Sequence, residues 1–146
     1  MKIIINRKYG GFWISNIALE ELMQRKGETI CFYEMTFDDS DKYTYTKTDA
    51  SNNNLFVAAI CNDFGDVFIP ENDEQSDEFY KYIIRGNDWR WRTDTDLINL
   101  IVEKGSEFVS SPLSSLEIVE IPDDIEWEIE EYDGMEWISE KHRSWY

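Results

Sequence analysis

From Ile125 to Glu130 the chain alternates apolar and acidic residues without a break, Ile125, Trp127 and Ile129 against Glu126, Glu128 and Glu130. Successive side chains of a strand point to opposite faces, so this pattern specifies a half-buried β-strand; a helix would scatter the same six residues around its circumference. Asp133-Gly134 follows, a pair that supplies the positive φ angles of a two-residue hairpin turn, and Met135 to Ser139 reads as the return strand. Immediately upstream, Leu116 to Ile121 is a further strand stopped by Pro122. Residues 116–139 are therefore read as antiparallel strands.

The same reasoning extends toward the N-terminus. Lys2 to Asn6 is an isoleucine-rich buried strand, and Ser15 stands as the N-cap of a helix over about 15–26, with Ile17, Ala18, Leu22 and Met23 on one stripe and Gly27 as its stop. Thr29 to Phe37 reads as a second strand. Residues 38–54 are polar and read as a mobile loop or a hairpin excursion. Leu55–Cys61 and Val67–Ile69 flank Asn62-Asp63-Phe64-Gly65-Asp66, a hairpin signal. Residues 71–78 are an acidic linker or helix start. Thr93 or Asp94 caps a second principal helix over about 94–104, with Leu97, Ile98, Ile101 and Val102 as its stripe and Gly105 as its end. Ser106 to Ser115 is a loop or a continuing helical segment. The expectation is one α+β domain over residues 1–146, mainly antiparallel sheet with two principal helices and a C-terminal β-hairpin.

Composition bounds the chemistry. There are 31 acidic against 14 basic side chains, a formal charge of −17, yet aromatic residues reach 15% and argue for a packed core over an acidic disordered tail. A field of this sign repels nucleic acid and anionic membrane and attracts basic protein surfaces; it also serves solubility. Cys31 and Cys61 each lie in an apolar run and read as reduced core thiols. No secretory signal and no apolar run of transmembrane length is seen, so a cytoplasmic protein is expected. His142 is the only histidine, there is no Cys-x-x-Cys, and no phosphate-cradling glycine loop occurs. Two-histidine metal sites and thioredoxin-like chemistry are thereby excluded. Asp38, Asp39 and Asp41 lack the glycine and closing glutamate of a calcium loop. A protein that is not an enzyme and carries no cofactor is expected, although carboxylate pairs alone leave glycoside hydrolysis open.

Two regions carry functional potential. In the first, Arg85, Trp89, Arg90, Trp91 and Arg92 form a basic, aromatic island ahead of a helix N-terminus. Such an island clamps a phosphate through arginine while a tryptophan stacks on a base; alternatively, the arginines neutralise nearby carboxylates and the indoles fill the core. Tyr9 and Phe12, flanking Gly10-Gly11, are a weaker addition to that ligand site. In the second, Glu126, Glu128, Glu130, Glu131, Asp133 and Glu136 line the hairpin. Alternate strand residues repeat at roughly 6.6–6.8 Å, giving a regular row of negative charge that imitates a nucleic-acid backbone toward a basic groove, or that simply protects an exposed strand from aggregation.

With these residues in place, the chain resembles a family of small phage and prophage proteins of no agreed activity. The resemblance rests on Met1 to Ser15, Arg92 to Gly105 and Glu117 to Trp145, the last, EIVEIPDDIEWEIEEYDGMEWISEKHRSW, being the most specific. Trp13 and Thr95 depart from the family pattern, which has a small residue and a proline there. The resemblance implies a phage origin and carries over no catalytic residue. Together with the composition it leads to the expectation of a counter-defence inhibitor, anti-CRISPR-like or a nucleic-acid mimic. Such an inhibitor would bind a basic surface of a host defence protein in the host cytoplasm. The alternative is a sponge that sequesters a nucleotide-like signal through the Arg/Trp island. Neither direct nucleic-acid nor membrane binding is expected, and a homo-oligomer through strand edges or the Tyr9–Trp13 aromatics is compatible with the pattern.

Overall fold

The computed structural model describes residues 1–39 and 42–141, so Asp41, His142 and Trp145 lie outside the described residues. The fold is α+β, and every described strand pairing is antiparallel. The chain divides into two compact units, one of residues 1–18 and 86–146, the other of residues 19–85.

The first unit is built on strand β1 (Lys2–Asn6), whose Ile3, Ile4 and Ile5 are fully buried. It pairs with the late strand Leu116–Glu120, Ile4 opposite Ile118, so segments more than a hundred residues apart meet in one ladder. The remaining elements of this unit are a 3-10 turn (Trp89–Thr93), a helix over Thr95–Lys104, a short helix over Ser106–Val109, and the hairpin strands Trp127–Tyr132 and Met135–Glu140. Asp94 ends the 3-10 turn and starts the helix after it: its backbone is extended and its Oδ1 accepts from Leu97 N at 2.9 Å. Leu97 and Leu100 are buried, and Gly105, with φ +91°, closes the helix. The hairpin turns on two residues as its sequence demands, with positive φ at both Asp133 and Gly134.

Helix α1 (Asn16–Arg25) carries the chain from the first unit into the second. The Ser15 hydroxyl accepts from Ala18 N at 3.1 Å. At its other end Glu28 N donates to Met23 O and Gly27 N to Gln24 O, the paired bonds of a Schellman stop, with Gly27 at φ +73°. The second unit is a five-stranded sheet. Its strands are β2 (Cys31–Phe37), β3 (Tyr43–Thr48), β4 (Val57–Ile60), β5 (Val67–Phe68) and β6 (Ile83–Ile84), in the order β5-β3-β2-β4-β6. Helix α2 (Asp73–Tyr80) is capped by Asn72, whose Oδ1 accepts from Gln75 N, and it buries Phe79 against Tyr33, Tyr45 and Ile60. In chain order the first unit's later elements are α3 (Thr95–Lys104), α4 (Ser106–Val109), β7 (Leu116–Glu120), β8 (Trp127–Tyr132) and β9 (Met135–Glu140).

Two segments depart from the sequence expectation. Of the two readings of residues 38–54, the hairpin holds, because Tyr43–Thr48 pairs along its whole length with β2. The hairpin expected between residues 55–61 and 67–69 does not form: β4 pairs with β2 and β6, whereas β5 pairs with β3 across the sheet. The cause is Tyr33. Its buried hydroxyl accepts from Phe64 N at 2.8 Å and donates to Gly65 O at 2.9 Å, while the Phe64 ring packs on Phe68 and Phe79. The turn is thus pulled over the aromatic face of the sheet, and its two arms land on opposite sides of β2 and β3.

Candidate functional site

The C-terminal hairpin is assembled from its register. Glu128 lies opposite Ser139, Glu130 opposite Trp137 and Tyr132 opposite Met135, which puts Glu128 and Glu130 on one face. Trp127, Ile129 and Glu131 share the other face with Glu140, Ile138 and Glu136. Glu126, Glu128, Glu130, Glu131 and Asp133 are all exposed. The Glu130 carboxylate accepts from Trp137 Nε1 at 2.8 Å and from Ser139 Oγ at 2.7 Å, so it is held upright on the open face.

Glu136 does not join that row. Only 5% exposed, it forms a two-pronged ion pair with Arg92, itself 7% exposed; Arg92 Nη2 donates to Glu136 Oε2 at 2.7 Å and Nη1 to Oε1. The same Glu136 Oε1 accepts from Asn6 N at 2.8 Å, and the guanidinium stacks over the Phe12 ring at 3.8 Å. One residue from each of the two candidate regions is therefore spent on the other. The physical reason is that a carboxylate on the apolar face of a strand requires a buried cation, and Arg92 is within reach. Arg92 Nε is buried and has no hydrogen-bond partner among the described residues.

Further bonds fasten the hairpin turn to the N-terminal glycines. Asn6 Nδ2 donates to Gly134 O at 2.7 Å and to Lys8 O at 2.6 Å, its Oδ1 accepts from Ser115 N at 2.9 Å, and Gly10 N donates to Asp133 O. A Cβ on Gly134 would stand 2.3 Å from Gly11 N. The Gly10-Gly11 pair thus serves the close approach of two backbones. Tyr9 is exposed beside it.

The Arg/Trp island disperses. Trp91 is completely buried with the Arg90 guanidinium 4.3 Å from its ring centroid, and Phe12 is buried under Arg92. Trp89, 61% exposed, lies nearly parallel to Trp127 of β8, with centroids 6.5 Å apart. Arg85 belongs to the second unit and is exposed. The helix N-terminus behind the island is occupied by the Asp94 side chain. Trp89, Arg90 and Tyr9 are what this region presents at the surface of the first unit.

In the second unit Lys47 Nζ bonds Asp63 Oδ1 at 2.7 Å, which holds the Asp63 carboxyl below its ordinary range and raises Lys47. Burial, and then Asp63, pushes the Cys31 thiol up, so it stays protonated at neutral pH. Among the described residues no three His, Cys, Asp or Glu side chains converge to hold a metal ion, and no helix is long and apolar enough to cross a membrane.

The sequence reading missed the clasp formed by Asn6, Phe12, Arg92, Gly134 and Glu136. One signal for it was present: Glu136 shares strand parity with Ile138, so a carboxylate falls on the apolar side. Compared with known proteins, the chain matches no family model, no curated protein and no solved structure.

Proposed function

We propose that the protein acts by binding, presenting the carboxylates of its C-terminal hairpin to a basic, nucleic-acid-binding surface of a host defence protein, as a phage-encoded counter-defence inhibitor. The observation that carries this reading is the contrast within one hairpin. Its Glu136 is buried and paired inside the first unit, whereas Glu126, Glu128, Glu130, Glu131 and Asp133 stand in solvent. A clasped base holds the exposed row in a fixed geometry, and fixed geometry lowers the ordering cost of binding. Tyr132 and Trp137 are exposed on the same face as Glu128 and Glu130, adding aromatic groups of the kind that anchor interfaces and stack on arginine. The nucleotide-sponge alternative loses support, since Trp91, Arg92 and Phe12 are buried in the fold.

The test is capture of host proteins by the purified chain across a salt series. Binding of a basic partner falls steeply between about 50 and 200 mM salt, because the attraction is screened over a Debye length of roughly 10 Å at 0.1 M. Substituting Glu126→Gln, Glu128→Gln and Glu130→Gln together leaves the melting temperature within about 2 °C, as surface changes do. The same variant lowers partner affinity by at least about tenfold. Salt-insensitive capture, or full affinity in the triple variant, contradicts the reading.

A further inference from the structure

Among the described residues the hairpin has an unpartnered edge: β8 pairs only with β9. In an antiparallel hairpin with a two-residue turn, the residues flanking the turn, here Tyr132 and Met135, exchange both backbone hydrogen bonds, and bonded pairs then alternate. Glu130 and Glu128 consequently point their N–H and C=O groups at β9, and the bond from Lys141 N to Glu126 O at 2.9 Å continues that phase. The backbone groups of Trp127, Ile129 and Glu131 point the other way, along the open edge. The side chains on either side of that edge differ: Glu126, Glu128 and Glu130 on one face, Trp127 and Ile129, followed by Glu131 near the turn, on the other.

We infer that the edge of β8 receives an extended segment of the partner as a third strand, and that this segment alternates basic and apolar residues. The inference rests on the binding role proposed above and specifies the element the partner contributes. The register dictates the alternation. Residues opposite Glu128 and Glu130 on an added strand lie roughly 5 Å away on the acidic face, where lysine or arginine is favoured and a carboxylate is disfavoured. Residues opposite Trp127 and Ile129 face the half-buried apolar side, where aliphatic side chains fit. The N–H and C=O groups of Trp127, Ile129 and Glu131, turned away from β9, supply affinity independent of side-chain charge, the mode by which extended peptides add to a sheet edge. Without a basic strand the same carboxylates repel other edges, which keeps the site free of acidic copies of itself.

The experiment uses the full chain and two synthetic peptides of identical composition. One alternates lysine with valine over nine residues; the other carries its lysines and valines in separate blocks. Residue-resolved amide hydrogen exchange is followed by NMR with each. In the free protein Glu128 and Glu130 amides exchange slowly and those of Ile129 and Glu131 fast. The alternating peptide slows Ile129 and Glu131 by about tenfold or more, while the block peptide leaves them unchanged. If both peptides bind equally and salt-sensitively with no slowing of Ile129 and Glu131, the added strand is overturned and the acidic-face reading stands. If neither peptide binds at 50 mM salt, both fall.

Discussion

Arg92→Ala lowers the stability of the first unit by about 3–5 kcal/mol, because it leaves Glu136 as an uncompensated buried charge. For a chain of this size that corresponds to a fall in melting temperature of roughly 10–20 °C. The loss has three parts in the structure: the paired bonds to Glu136, the stacking of the guanidinium on Phe12 at 3.8 Å, and the packing of a side chain only 7% exposed. Glu136→Ala has an effect of similar size through the stranded Arg92. The double substitution Arg92→Met with Glu136→Leu recovers most of the loss, since apolar side chains of similar volume replace a buried ion pair at little net cost. Thermal denaturation of the wild type, Arg92→Met, Glu136→Leu and the double variant closes the cycle, and a double-variant loss equal to the sum of the two single losses would show that the two residues act separately.

Gly134→Ala comes next in size. The residue sits at φ +88°, and an added Cβ would stand 2.3 Å from Gly11 N and 2.8 Å from Gly10 N, both backbone atoms with little freedom to yield. The left-handed backbone and the steric conflict together cost about 2–4 kcal/mol. The substitution lifts the turn away from the N-terminal glycines, breaking the bonds from Asn6 Nδ2 to Gly134 O and from Gly10 N to Asp133 O. Gly27→Ala is the control: it has a similar φ of +73° with nothing within 4 Å of the new Cβ, and it costs only about 1 kcal/mol. Melting curves of both variants separate the steric part from the conformational part.

Much of the fold was legible because local rules and the tertiary structure agree. Ser15 and Gly27 bound one helix, Asp94 and Gly105 the other, and Asp133-Gly134 turns the hairpin that the Ile/Trp–Glu alternation announces. The sequence misleads where a distant side chain overrides a local signal. Asn62 to Asp66 has the composition of a hairpin turn, but the Tyr33 hydroxyl, thirty-one residues before Phe64, takes its backbone bonds. The candidate site was half legible for the same reason. Exposure of Glu126, Glu128 and Glu130 follows from strand parity alone. Pairing of Arg92 with Glu136, forty-four residues apart, follows from no local pattern. Nor does spacing tell Trp89 from Trp91. The 3-10 turn places the second indole in the interior and leaves the first at the surface against Trp127.

The measurement that decides between the two surfaces of the first unit is partner affinity at about 50 mM salt, where surface electrostatics are least screened. It compares the wild-type chain, the triple Glu126, Glu128 and Glu130 to Gln variant, and a Trp89→Ala, Arg90→Ala variant. Binding through the hairpin requires that the triple variant lose at least about tenfold while the Trp89 and Arg90 variant keeps wild-type affinity. Loss confined to the Trp89 and Arg90 variant would contradict it, and would move the functional surface to the remnant of the Arg/Trp island.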